Sequence, residues 1–309
     1  MARTVNELNE LIKFDPKQFV LDGNNEYYKQ IHKVADLIAE NRHNSPIVLL
    51  SGPSGSGKTT TALTIEKILD ESGIETHTLS LDNYFLTITE NDQEMLEKGR
   101  LDLESPKRVN EEILNEQLEK MIKCESVELP KFDFVNAVSK KSGETLTRKP
   151  GELVILEGIH SLNPNVVKLS DELTTKLYVS VRTRVQYASV TMHPSYIRLL
   201  RRMIRDKLYR GRSIDYTLKM FDSVEQGEQK YIMPYKYHSD IDIDTFIPYE
   251  LSVYKSFLLD ELRQVENENH NEKIGELVDI LTALFPVDEA LVPKNSLIRE
   301  FIGNSEFSY

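Results

Sequence analysis

The stretch Ile47-Val48-Leu49-Leu50-Ser51-Gly52-Pro53-Ser54-Gly55-Ser56-Gly57-Lys58-Thr59-Thr60 decides the reading of this chain. Its four leading apolar residues predict a buried strand, and Thr60-Thr61-Ala62-Leu63-Thr64-Ile65 predicts the start of a helix. Across the turn between them runs G-x-x-x-x-G-K-T, spelled by Gly52, Gly57, Lys58 and Thr59. Glycines let the backbone bend so that successive N–H groups converge on an anion, and the helix that follows adds the positive end of its dipole. Gly52, Pro53, Ser54, Gly55, Ser56, Gly57, Lys58, Thr59 and Thr60 are therefore candidate ligands of a nucleoside triphosphate. Lys58 can reach the outer phosphates and Thr59 can place its hydroxyl on Mg²⁺. Chance alone supplies the four fixed positions in roughly one chain in a hundred of this length.

The composition narrows the partners. The formal net charge of −12 over 309 residues argues against a general nucleic-acid surface, which needs Lys and Arg on phosphates. It leaves room for a small basic pocket. The single cysteine, Cys124, excludes an intrachain disulfide and a cysteine-rich metal site. Neither a signal-like apolar segment at the N-terminus nor a membrane-length apolar run occurs. A cytoplasmic protein without membrane or nucleic-acid partners is expected, and assembly of identical copies stays open.

Outward from the loop, strands alternate with helices, which predicts an α/β fold with a parallel sheet flanked by helices, as in P-loop NTPases. Strands are expected at Thr76 to Leu81, Leu153 to Leu156 and Lys176 to Val181, and at Thr245 to Ile247 after the alternating Asp240-Ile241-Asp242-Ile243-Asp244. Helices are expected from Tyr27 to Asn41, from about Asn110 to Lys123, from about Tyr196 to Arg210, and again from Tyr216. A charged segment runs from Glu90 to Arg100. Ser126 to Phe134 and Glu144 to Arg148, separated by Lys140-Lys141-Ser142-Gly143, read as a hairpin. Residues 1–24 form an extension and 25–262 the core, with the hairpin at about 126–148 and a lid at about 196–240. Residues 263–309 form a helical tail, set off by the polar stretch Glu266 to Lys273. Its stripe Ile274, Leu277, Val278, Leu281, Leu284 and Phe285 is read as docking on the core.

Two predicted strands end in a carboxylate. In open α/β sheets ligands gather at the carboxyl ends of strands. Glu157 is placed to help organise Mg²⁺, and Asp82 to meet an acceptor hydroxyl opposite the terminal phosphate. Arg198, Arg201, Arg202 and Arg205 fall at i, i+3, i+4 and i+7, on one side of a helix whose other side carries Leu199, Leu200, Met203, Ile204 and Leu208. Arg210 and Arg212 follow around Gly211, with Asp206 the only acid in the run. Such crowding of guanidinium groups predicts a lid that closes over phosphate.

Taken together, Gly52 to Thr59, Leu81-Asp82-Asn83-Tyr84-Phe85, Leu129-Pro130-Lys131-Phe132-Asp133-Phe134, Leu156-Glu157-Gly158-Ile159 and the run Arg198 to Arg212 follow the order seen in uridine kinases. Over roughly residues 45 to 250 the chain resembles the phosphoribulokinase/uridine kinase family. Its tail, with Asn295-Ser296-Leu297-Ile298-Arg299-Glu300-Phe301-Ile302-Gly303, is similar to that of a bacterial uridine-kinase-like branch, here without the extra N-terminal module of some larger members.

The resemblance implies an ATP- and Mg²⁺-dependent kinase acting on a small acceptor such as uridine or cytidine. Asp82, Lys58 and Arg205 are then catalytic, Arg205 and Arg210 meet the ATP phosphates, and Thr59 and Glu157 hold the metal. Substrate contacts are implied at Asp82, Tyr84, Glu104, Phe132, Arg202 and Arg212. Where the family contacts the pyrimidine through a Tyr, a His and a Gln, this chain carries Phe132, Ala137 and Met220. Loss of such groups weakens base discrimination. Alternatives are a kinase for another alcohol or a sugar phosphate, and an ATP-binding regulator without phosphotransfer. In a passive binder Asp82 and the arginine stripe have no purpose.

Overall fold

The computed structural model describes residues 2–97, 101–102, 104–134, 136–269 and 272–308. Within these the elements run β1 (Ala2–Thr4), α1 (Val5–Phe14), α2 (Pro16–Asn41), β2 (Ile47–Ser51), α3 (Lys58–Glu71), β3 (Thr76–Ser80), α4 (Glu90–Glu97) and α5 (Glu111–Ile122). There follow β4 (Val127–Asp133), β5 (Val138–Leu146), β6 (Leu153–Glu157), β7 (Thr174–Ser180), β8 (Arg184–Tyr187) and β9 (Val190–Met192). The chain closes with α6 (Pro194–Arg210), α7 (Ile214–Tyr231), β10 (Ile241–Asp244), α8 (Glu250–Asn269), α9 (Glu272–Ala283) and α10 (Arg299–Ile302).

A five-stranded parallel sheet in the order β10-β7-β2-β6-β3 forms the centre. Its inner strands are apolar at consecutive positions because both faces are covered. Val48 and Leu50 of β2 enter one core, with helices α2, α3, α6, α8 and α9. Ile47 and Leu49 enter the other, with α5. The same alternation holds in β6, where Leu153 and Ile155 face the first core and Val154 and Leu156 the second. Because β2 lies between β6 and β7, its C-terminal loop opens at the middle of the sheet edge. No helix among the described residues is long and apolar enough to cross a membrane.

Several boundaries differ from the sequence reading. The helix expected from Tyr27 begins at Pro16, where Asp15 caps it by accepting from the Gln18 amide. The Asp-Pro pair supplies an N-cap and a ready-set first turn. The 1–24 segment also carries β1, which pairs with β8, and α1, which buries Val5, Leu8 and Ile12. In the hairpin, Lys140 to Gly143 lie within β5 and not in the turn, to which Phe134, Asn136 and Ala137 belong. Val135 lies outside the described residues, as do 98–100 of the charged segment and 270–271 of the polar stretch before the tail. The last sheet strand is Ile241–Asp244 and not Thr245 to Ile247. Its isoleucines face inward, and Asp244 then caps the exit by accepting from the amides of Arg182 and Phe246. Of the tail stripe, Ile274, Leu277, Val278, Leu281 and Leu284 are buried, whereas Phe285 is 45% exposed because α9 has ended.

Candidate active site

Gly52 to Gly57 connect β2 to α3 over the sheet edge. Gly57 is the N-cap of α3, with φ 83° and no side-chain cap, so the first-turn N–H groups of Lys58, Thr59 and Thr60 point towards the loop. A side chain at Gly57 is excluded twice, by the left-handed backbone and by Leu297, whose Cδ1 would lie 2.9 Å from a Cβ. The loop carbonyls are drawn away from the concave side. Ser54 O accepts from Arg198 at 3.1 Å, Gly55 O from Arg201 at 3.2 Å and Ser56 O from Thr245 at 2.7 Å. Lys58 folds its ammonium onto Pro53 O at 3.2 Å. Turning the carbonyls outward leaves the amides facing inward, which is the arrangement an anion cradle needs.

The two strand-end carboxylates meet this cradle. Glu157 is the last residue of β6 and is buried, with Oε1 accepting from the Thr59 hydroxyl at 3.4 Å. Burial, reinforced by Asp82, pushes its carboxyl up to about 7, against the pull of Lys58. A buried carboxylate beside a hydroxyl at the mouth of a phosphate loop suits a divalent cation, which would supply the missing positive charge. Asp82 sits in a 3₁₀ turn, Leu81–Tyr84, directly after β3. Burial raises its carboxyl above the usual range, while Lys58, Arg210 and Arg205 pull the other way. Asp82, Glu157, Thr59 and Lys58 thus converge on one place.

The arginine stripe divides. Arg198 is buried and donates to Glu228 at 2.6 Å. Arg201 is fully buried and bound at both ends by Glu250, at 2.8 and 3.0 Å, with Phe301 beneath it. These two brace the loop from behind, so the lid reading is corrected for them: their acids come from α7 and α8. Arg202 bonds the Ser54 hydroxyl, while its buried Nε has no partner among the described residues. Burial, then the neighbouring Arg205, pull it down to about 10. Arg205, Arg210 and Arg212 gather around Asp206, at 3.2, 3.4 and 3.9 Å. Arg210 and Arg212 are exposed at the free end of α6, Arg212 resting over the ring of Tyr216.

On the acceptor side, Glu104 shares the field of Arg202, Lys58 and Asp82. Its backbone carbonyl accepts from His160 Nε2 at 2.9 Å, which fixes the proton on that nitrogen. Burial lowers His160 to about 4, so the ring is neutral. The Glu104 side chain packs on α7 only because residue 227 is glycine, where a Cβ would stand 2.5 Å from Glu104 Cβ. Gly227→Ala is therefore expected to raise the acceptor KM about tenfold, leave the ATP KM unchanged and lower the melting temperature modestly, since overpacking of about 1–3 kcal/mol outweighs the roughly 1 kcal/mol by which Ala favours the helix. Steady-state kinetics with thermal unfolding checks it.

Phe132 is buried edge-on between Phe85 and Phe134, with centroids at 5.8 and 5.1 Å. Its amide donates to Asn83 at 3.3 Å. Tyr84 does not present its hydroxyl to a substrate: the ring lies in the second core and the O–H donates to Gln117 at 2.8 Å. Ala137 lies in the hairpin turn with φ 54°, and Met220 on α7 is partly buried. His160, Gly227, Glu228 and Glu250 were not singled out from sequence. His160 stood close behind Glu157 in the strand-end loop and was open to detection. The two glutamates offered no local signal.

A parallel sheet with a glycine-rich anion loop at its central strand and carboxylates on the adjoining strand ends defines a P-loop phosphotransferase. The model of the Phosphoribulokinase / Uridine kinase family matches residues 47–250, and the chain belongs to that family. It is 31% identical over 201 residues to a uridine kinase from Staphylococcus aureus (strain JH9), covering 64% of this chain and 86% of the relative. A uridine kinase from Halobacterium salinarum is 28% identical over 195 residues, covering 63% of this chain and 77% of the relative. Among solved structures, one provisionally described as a fructose transport system kinase from Silicibacter sp. TM1040 aligns with a TM-score of 0.53 at 17% identity, over 69% of this chain and 98% of that one. That likeness concerns the fold.

Proposed function

We propose that this chain transfers the γ-phosphate of ATP to a hydroxyl of a small acceptor, first of all the 5′-hydroxyl of a nucleoside. One observation carries the reading: Asp82 stands at the mouth of the phosphate loop within the field of Lys58, Arg205 and Arg210. The loop amides and Lys58 hold the triphosphate. Thr59 and Glu157 would hold Mg²⁺, which when bound would neutralise charge on the triphosphate. Glu104 and Phe132 position the acceptor. The acceptor oxygen bonds to the γ-phosphorus, the bridge to the β-phosphate breaks, ADP leaves, and Asp82 receives the hydroxyl proton. A base raised by burial is better matched to that proton than an ordinary aspartate. Arg205 and Arg210 balance charge on the transferring group.

A second reading, a kinase for a non-nucleoside alcohol or sugar phosphate, draws support from Phe132, Ala137 and Met220. None of the three offers a hydrogen bond from its side chain to a base edge. Consumption of ATP against a panel of nucleosides, sugar phosphates and small alcohols separates the two. Turnover with uridine or cytidine is the expected result. Turnover confined to non-nucleoside alcohols replaces the first reading by the second.

A further inference from the structure

The end of the chain returns to the phosphate loop. Leu297, Ile298, Phe301 and Ile302 are buried there. Arg299 staples the segment by donating to the carbonyls of Glu289, Val292 and Gly303. Tyr28 donates to Asn295 O, and Tyr249 meets the Ser296 hydroxyl at 2.8 Å. Leu297 fills the space left by the absent side chain of Gly57. These contacts deliver one charged side chain, Glu300, to a fixed place. Its Oε2 accepts from the Thr60 hydroxyl at 2.6 Å and from the Thr60 amide at 3.3 Å.

Thr60 is the third residue of α3, and its amide belongs to the first-turn set that gathers an anion. In a loop of this type Lys58 serves the outer phosphates and the amides serve the inner ones. The carboxylate of Glu300 therefore lies on the inner, nucleoside-proximal end of the cradle. Glu300 makes no ion pair within 4 Å among the described residues, and the nearby Arg201 is already held by Glu250. A carboxylate and a phosphate cannot occupy the same amide and hydroxyl together, because both are anionic acceptors.

We propose that Glu300 sets the affinity for the donor nucleotide, as an anionic arm of the C-terminal segment that holds Thr60 until the α-phosphate of ATP or ADP displaces it. This deepens the kinase reading and rests on its donor half alone. The carboxylate moves aside and the single turn that carries it, Arg299–Ile302, frays, while the docked stretch before it stays, so the arm weakens binding without dismantling the loop. It also lowers affinity for the product ADP, which speeds release.

The test is calorimetric titration of the full chain with Mg·ATP and with Mg·ADP, no acceptor present, in wild type and Glu300→Gln. Glutamine keeps the shape and an acceptor oxygen for Thr60 but removes the charge. The expected result is roughly tenfold tighter binding of both nucleotides in the variant. Equal or weaker binding overturns the inference and leaves Glu300 as a helix cap. A second measurement on the wild type stands where the variant fails to fold: amide hydrogen exchange at Thr60 and along residues 293–303. Saturating Mg·ADP is expected to speed exchange around residue 300 while protecting Thr60, and unchanged or slower exchange around residue 300 overturns the inference. A wild-type chain that binds neither nucleotide overturns the donor reading itself, and this inference with it.

Discussion

Asp82→Asn is expected to cut acceptor phosphorylation by about 10² to 10⁴-fold, the usual worth of a positioned general base. ATP binding is expected to survive, and to tighten slightly, because the substitution removes a negative charge that faces the phosphates. The folded structure has little reason to change: asparagine is isosteric, and burial already disfavours the charged form of Asp82. Single-turnover phosphorylation alongside nucleotide titration separates the two effects. Unchanged turnover removes Asp82 from the proton's path. Nucleotide binding in a wild type that phosphorylates no acceptor favours the regulator over the kinase.

Arg201→Met is expected to destabilise the fold by about 3–5 kcal/mol, since it leaves Glu250 buried without its cation. Against a total stability of about 5–15 kcal/mol this is a large loss. Glu250 also accepts from the Ile247 amide at 2.9 Å, so the pair fixes the turn into α8 as well as the loop carbonyl of Gly55. The double variant Arg201→Met, Glu250→Leu is expected to recover only part of the loss: the uncompensated charge is gone, but the Ile247 amide and the carbonyls of Gly55 and Thr245 lose their partners. Urea unfolding of the two variants and the wild type gives the comparison. A stable Arg201→Met with slowed turnover would return Arg201 to a role at the phosphates.

The arginines mark the limit of what was legible. Helical spacing correctly placed Arg198, Arg201, Arg202 and Arg205 along one face and Leu199, Leu200, Met203 and Ile204 in the core, whereas Leu208, read with them, is exposed near the end of α6. Spacing could not say what that face meets. Only packing brought Glu228 of α7 and Glu250 of α8 against the first two, leaving Arg205, Arg210 and Arg212 with Asp206. The same holds at Tyr84, where the motif suggested a substrate contact and the fold spends the hydroxyl on Gln117 of α5. Asp15-Pro16 is a different case, a local signal that was present in the sequence and passed over.

By itself the sequence determined the anion loop, the parallel sheet that carries it and the carboxylates at the strand ends. Each of these depends on residues a few positions apart, where backbone preference and burial period act directly. The tertiary structure decided which arginines brace the loop, how His160 and Gly227 fix Glu104, and that Glu300 reaches Thr60. Those pairings join groups far apart in the chain. Their energy depends on distance and dielectric at the folded site, which no local spacing encodes.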